Sequence, residues 1–499
     1  MADRGTCVII GSGLGGLSAG AILSRAGYRV TVLEKEPVIG GCLQCFIRRG
    51  AMFETGMHFI GSADPGQTLH RLLTFAGVDV MPQLQRLDRD GYNVISLCGQ
   101  RFPFANGEAF VDTLGSYFPS NKDDIARYYR LVKDVAHASA LHSLDRADGD
   151  MAMITRYQLE PVDAVLDSLT SCEELKGVLA GDLTLYAGQK GRTPFALHAF
   201  ITDFYNESAF RVIGGSSHIA AAFAGVIEAN GGRIVTCAEV ASVKTDGFRA
   251  TSVETVDGRS FEASYVVSDI HPSVLVGMID GNMLRPAYRK RISGLRNTPS
   301  CFTVYIKFRP GMVEYMNHNF FGYTRPTPWG CEDYTPSGWP GGYLYMHHAH
   351  AFEPRYAVSG QAISYMDYSE VSQWEGTRVG RRGDGYRDFC RNRADRLIDV
   401  MERDMPGLRE SIEEYYTSTP LTYACYTATP GGSMYGVAKD VLLGSANRVS
   451  HRTRIPNLFL VGQNTNSHGM LGVMVGSVLA CGEMPGYEDI LYRIKCGRT

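Results

Sequence analysis

Apolar residues first gather at Cys7–Ile10, a run too short for a helix and with the length and character of a strand buried on both faces. Gly11-Ser12-Gly13-Leu14-Gly15-Gly16 follows at once. Leu17, Ala21 and Leu23 then fall at helical spacing up to Arg25, with Gly27 as the stop. Tyr28–Leu33 repeats the buried-strand pattern and ends at Glu34. Further along, the pattern predicts a short helix over Leu69–Phe75 and a hairpin from Tyr92–Leu97 and Arg101–Phe104. A helix over Lys122–Ala140 carries Ile125, Tyr128, Leu131, Val132 and Val135 at helical spacing. Pro161–Leu169, Phe195–Tyr205 and His218–Ala229 also read as helices, and Arg233–Cys237, Glu239–Lys244 and Phe261–Ser268 as strands. Alternation at Cys301–Phe308, Gly342–His348 and Gln361–Tyr368 predicts three strands of a second sheet, closed by a helix over Tyr386–Met405. A last buried strand, Ile455–Gly462, leads to a glycine-spaced helix start at Gly469–Ser477.

The opening order of strand, Gly-x-Gly-x-x-Gly turn, helix, strand and acid is that of a dinucleotide-binding βαβ unit. Gly11 permits the tight turn, Gly13 lets the backbone approach a pyrophosphate, and Gly16 lets helix and strand pack closely. The helix amino terminus at Leu14 and Gly15 offers free N–H groups and a positive dipole end to the phosphates. Glu34 stands eighteen residues beyond Gly16, where a carboxylate accepts both hydroxyls of an adenosine ribose and repels a 2′-phosphate.

Composition narrows the class. The 499 residues suffice for a cofactor domain plus a substrate domain. Forty-nine Lys and Arg against 52 Asp and Glu, with no basic tract, argue against a nucleic-acid partner. Fifty-six glycines are about 11% of the chain, above the usual ~7%, as suits many backbone contacts to a cofactor. Twelve cysteines show no regular framework, and no leader pattern precedes the first strand, so a reducing, cytoplasmic setting is expected. No run reaches the ~20 apolar residues of a spanning helix, and the terminal Cys496-Gly-Arg-Thr lacks the aliphatic pair of a prenylation box. Membrane attachment, if any, is expected to be peripheral.

The glycine pair Gly40-Gly41 behind Glu34 resembles the extended fingerprint of the amine oxidase and phytoene desaturase superfamily of flavoproteins. Gly40-Gly41-Cys42, Phe46, Gly50 and Phe53-Glu54-Thr55-Gly56-Met57-His58-Phe59-Ile60-Gly61 are similar to its retinol saturase and carotenoid isomerase branch. So is the run from Thr417 through Thr429-Pro430-Gly431-Gly432-Ser433-Met434-Tyr435-Gly436. The resemblance spans essentially the whole chain. It implies FAD as cofactor and an α/β fold, with a discontinuous Rossmann-type FAD domain and an inserted α+β substrate domain. The boundaries it implies are 1–75, 214–290 and 440–499 for the FAD domain, and 76–213 and 291–439 for the substrate domain.

The same resemblance implies cofactor contacts from Gly11 to Gly16, from Glu34 and Lys35, from Gly40 and Gly41, and from Gly56, Met57 and His58. It puts the backbone of Val240 at the adenine and Gly462 and Gln463 by the ribityl chain. Relatives usually carry Asp where Gln463 stands. The helix start containing Gly469, Leu471, Gly472 and Val473 is implied to face the isoalloxazine, its dipole stabilising reduced flavin. His58 is the first candidate proton donor, because imidazole can titrate near working pH. His468 is the second. Glu54 reads as structural, and His198 and Tyr205 as core. Cys42-Leu-Gln-Cys45 lacks the spacing and the C-terminal His–Glu pair of disulfide reductases, and no second cysteine pair supports zinc.

The sequence has one nucleotide turn, so electrons come from a transiently docked donor or go to an acceptor, or the reaction has no net redox change. The resemblance implies saturation of one double bond of a polyene or isoprenoid lipid. Carotenoid cis–trans isomerisation and phytoene-type desaturation remain open on the same scaffold. A rival of another class is a prenyl-lipid-binding protein with the fold of Rab GDP-dissociation inhibitors.

Overall fold

A parallel sheet runs in the order Arg233–Val235, Arg29–Leu33, Thr6–Ile10, Tyr265–Ser268, Leu458–Leu460 in this computed structural model. The described residues are 4–144, 150–486 and 490–497; residues 1–3, 145–149, 487–489 and 498–499, among them the terminal Arg498 and Thr499 and both outer ends of the expected FAD domain, lie outside them. Thr6–Ile10 is buried on both faces, as its unbroken apolar run requires. Cys7 and Ile9 face the helices Leu14–Arg25, Ser217–Ala229 and Gly469–Gly482, while Val8 and Ile10 face a small antiparallel sheet. That small sheet is formed by Val240–Thr245, Ala250–Thr255 and Ser260–Glu262. The expected single strand Phe261–Ser268 is therefore two. The chain leaves the small sheet after Glu262 and joins the parallel sheet at Tyr265, where Ala263 N–H bonds back to Thr251 and Ser264 N–H to Thr6.

The second sheet has seven strands rather than the three expected. Its order is Ile412–Ser418, Ser300–Phe308, Ser359–Met366, Gly342–His347, Asn319–Tyr323, Asn93–Leu97, Gln100–Phe104. One face packs on the helix Asp384–Asp404 through Phe302, Val304, Ala362, Leu397 and Met401. The other face, carrying Cys301, Leu344, Ile363 and Tyr365, packs against helices of residues 109–207. Every strand of the parallel sheet comes from 1–75, 214–290 or 440–499, and every strand of the seven-stranded sheet from 76–213 or 291–439.

Candidate active site

The carboxyl ends of Thr6–Ile10 and Arg29–Leu33 open on a cavity of about 350 Å³. Gly11 (φ +94°) makes the turn, its N–H bonding to Leu33 O, and Gly13 stands just before the helix, with Leu17 N–H on its carbonyl. Ser12 donates to Glu34 Oε2 through both N–H (2.9 Å) and Oγ, and Glu36 N–H donates to Oε1 (2.9 Å). The acid at the strand end is thus aimed back onto the glycine turn. Gly40 N–H closes on Ser12 O, bringing the second glycine pair against the first. A Cβ at Gly41 would lie 3.1 Å from Gly13 Cα, one at Gly15 would lie 2.6 Å from Gly462 N, and one at Gly13 would collide with Asp269 Oδ2. Three chain segments converge where only hydrogen atoms fit. This is a cradle of backbone N–H groups at a helix amino terminus, which suits a pyrophosphate.

The cavity wall includes Gly11, Gly13, Leu14, Gly15, Glu34, Lys35, Gly40, Gly41, Val240, Gly462, Gln463, Gly469 and Val473. Gly16, Leu471 and Gly472 stand behind it. A Cβ at Gly16 would strike Gly11 O, Leu471 is buried in the core, and Gly472 gives room to Ser467. The Gly469–Gly482 helix is held to Leu14–Arg25 by Ser18 Oγ on Ser477 Oγ at 2.7 Å. Lys439 ties down the loop between Gln463 and that helix, its Nζ donating to Asn464 O (3.2 Å) and Thr465 O (3.0 Å). Burial and the charge of Arg448 push this lysine down to about 7.

Beyond the glycines, Gly56, Met57 and His58 continue the wall toward the seven-stranded sheet. Strand alternation turns Gln361, Ile363 and Tyr365 to one side; Ile363, Tyr365 and the neighbouring Leu344 line the cavity with Tyr423, Met434 and Tyr435. Gln361 Nε2 donates to His58 Nδ1 at 2.7 Å, which leaves the ring proton on Nε2. The expectation that His58 titrates near working pH fails, because burial and then the charge of Arg211 push it down to about 3. His468, the second candidate, is placed differently. It stacks on Tyr435 (4.7 Å between centroids) behind the wall, and burial and Lys439 push it to about 3. Both imidazoles are neutral at physiological pH.

Two groups escaped the sequence reading. Asp269 ends the strand Tyr265–Ser268 beneath the glycine turn, and burial pushes its carboxyl up to about 7 against a hydrogen bond from Gly16. Tyr365 lines both this cavity and a larger cleft of about 1360 Å³ rimmed by Asp163, Glu173, Lys176 and Glu332. Its hydroxyl is buried with no hydrogen-bond partner among the described residues. A period-2 count from Gln361, on the predicted strand, was the available signal. Glu54, as expected, is structural: it accepts from Ser216 N–H (2.9 Å), Ser216 Oγ and Cys45 Sγ (3.3 Å). Burial pushes the thiols of Cys42 and Cys45 up to about 11, and both are free. His198 is clamped between Tyr128 Oη (2.7 Å) and Tyr186 Oη (2.6 Å) in the core, and Tyr205 packs on Phe59.

The sequence pattern of the flavin containing amine oxidoreductases matches residues 14–358. The chain belongs to that family. As a flavin containing amine oxidoreductase it is an FAD-dependent oxidoreductase, and the glycine cradle and Glu34 fit that cofactor. The chain is 28% identical to human all-trans-retinol 13,14-reductase, over 95% of its own length and 84% of the relative's. It is 25% identical to the lycopene-forming phytoene desaturase of a Paracoccus species, over 96% and 97%. An oxidoreductase structure from Methanosarcina mazei shares the fold with a TM-score of 0.65 at 17% identity, covering 95% of this chain and 99% of that one. Among the described residues, no helix of this flavin oxidoreductase is long and apolar enough to cross a membrane.

Proposed function

We propose that the chain saturates one double bond of a conjugated isoprenoid lipid, a polyene alcohol of the retinol kind. The observation that carries this is the cavity wall formed by Leu344, Ile363, Tyr365, Tyr423, Met434 and Tyr435, which presents an apolar, aromatic surface. The activity named for the human relative supports it.

In this reading the Gly11–Gly16 turn holds the pyrophosphate, Glu34 the ribose and Val240 the adenine side. Gly462 and Gln463, which line the cavity, would hold the ribityl chain. The helix amino terminus at Gly469 sets a positive dipole end toward the ring. Reduced flavin, when bound there, would supply the chemistry of hydride transfer to one alkene carbon. The chain must then place a proton on the neighbouring carbon and keep bulk water away. Neutral His58 can orient a ligand through Nε2–H but holds no acidic proton. The unpartnered Tyr365 hydroxyl is the group left to give one. Burial raises its pKa well above the usual 10, yet a delocalised carbanion is more basic still, and the large cleft supplies the replacement proton. A transient donor brings the electrons, at or near a membrane surface where such lipids reside.

The test is anaerobic turnover of retinoids, carotenes and prenyl alcohols with chemically reduced enzyme, read by mass spectrometry. A product two hydrogens heavier, from a polyene alcohol, is expected. An unchanged mass with altered double-bond geometry would replace saturation by isomerisation.

A further inference from the structure

Away from the cavity, three helices bring two imidazoles and two carboxylates together. His137 is the last residue of Lys122–His137, His142 lies in Ala140–Ser143, and Asp203 and Glu207 are one turn apart on Phe195–Glu207. One donor atom from each of the four falls within 4.8 Å of all the others. His137 Nε2 and His142 Nε2 both point at the same oxygen, Asp203 Oδ2, at 3.1 and 2.8 Å. Four ligands about 2.0–2.2 Å from one ion stand roughly 3.3 Å apart, so the two imidazole nitrogens need only draw back from Asp203 Oδ2 by a few tenths of an ångström, and no pair of the four starts more than 4.8 Å apart.

The surroundings are arranged as for ligands. Each carboxylate has one oxygen engaged elsewhere: Lys133 Nζ holds Asp203 Oδ1 at 2.6 Å, and Ser62 Oγ bonds to Glu207 Oε2. Outer partners of this kind fix the orientation of a ligating carboxylate and leave its second oxygen for the ion. His137 and Glu207 close their helices, so two carboxyl-terminal dipole ends converge on the site and favour a cation. Asp203 and His142 are buried, whereas the His137 side chain is half exposed (49%) and gives an ion a way in.

We propose that His137, His142, Asp203 and Glu207 bind one divalent transition ion of the zinc type. Imidazole nitrogen with carboxylate oxygen is a donor set that suits zinc. With four protein ligands and no open position the site is structural, not catalytic. It clips the helical layer over the corner Ser62–Thr68, where Thr68 Oγ1 already bonds to His142 O. That corner is joined to the wall segment Gly56–His58 by Phe59 and the short strand Ile60–Gly61.

The experiment titrates untagged, chelator-treated holoprotein with zinc alone, followed by calorimetry and thermal melting. One ion per chain with a micromolar or tighter Kd and a raised Tm is expected. Cobalt in its place should give the visible bands of a four-coordinate ion. His137→Gln changes a half-exposed side chain and should fold normally; it and Glu207→Gln should each weaken zinc binding at least tenfold and remove the cobalt bands. Unchanged flavin content in both variants is the control for folding. Absence of saturable zinc binding by the wild type, or binding in both variants as tight as in the wild type, overturns the site and leaves Lys133 as the cation that Asp203 carries.

Discussion

In the nucleotide-binding half, Thr6–Ile10 pairs with Arg29–Leu33, the next strand of that sheet along the chain. In the inserted half, Asn93–Leu97 pairs in parallel with Asn319–Tyr323, and Asn319 bonds to Asn93 across 226 residues. The first arrangement is specified by a local unit of strand, turn and helix, and its glycines are fixed by backbone packing. The second is held by pairings that form only when distant segments meet, and what it contributes is a surface. In the function proposed above, one half grips the cofactor and the other decides what lies beside it.

The largest effect should come from breaking the first half at its tightest point. Gly13→Asp sets a carboxylate against Asp269 and against the place of the pyrophosphate, in a cradle with no room for a Cβ. The variant should purify colourless, with no flavin absorbance and no recovery on adding FAD. Far-ultraviolet dichroism would show whether the rest of the fold persists. A fully yellow variant would break the assignment of this half to the nucleotide.

A smaller loss, with flavin retained, should follow from the second half. Tyr365→Phe removes only the hydroxyl that has no protein partner, so no hydrogen bond of the described fold is lost. Turnover should fall about 100-fold, the lower end of general-acid contributions, while flavin content and absorbance stay as in the wild type. Turnover within a factor of two would return the proton to another donor. The two variants together separate holding the cofactor from acting on the substrate.

The same contrast governs what could be read before folding. The Cys7–Glu34 unit was legible because each residue's task depends on neighbours within a few dozen positions. Asp269 was not, because its meaning comes from lying under Gly13 and Gly15, which are far off in sequence. Asn319–Tyr323 is buried throughout and shows no alternation, and Ile412–Ser418 is a half-buried edge strand, so neither announced itself. Tyr365 sat on a predicted strand with the right parity, but nothing local showed that its hydroxyl would go unpaired. That an imidazole can titrate near working pH did not carry over to His58 for the same reason: burial and Arg211 are tertiary facts.

The smallest effect concerns stability against acid, and it sharpens the comparison by asking where buried imidazoles sit. His198 in the helical layer and His347 in the seven-stranded sheet are, like His58, pushed down to about 3 by burial. A histidine depressed in the folded state binds fewer protons there than in the unfolded chain between pH 3 and its unfolded value of about 6.5. Stability from it is therefore complete above about 6.5 and is lost as pH falls through that window. Glu54, Asp182 and Asp269, raised to about 7, act in the opposite sense: they favour the fold at low pH and lose that contribution as pH rises from the usual carboxylate range toward 7. The net slope mixes both, so the informative quantity is the change caused by one residue. His198→Phe should cost about 1–3 kcal/mol at pH 7, because Tyr128 and Tyr186 lose their shared partner. It should also make the fall in Tm between pH 7 and pH 5 shallower than in the wild type, since one proton-binding site is removed from the unfolded chain. Melts at both pH values with flavin bound check this. A variant that loses Tm in parallel with the wild type would mean that His198 keeps its proton in the fold, and that the helical layer is wetter than its packing implies.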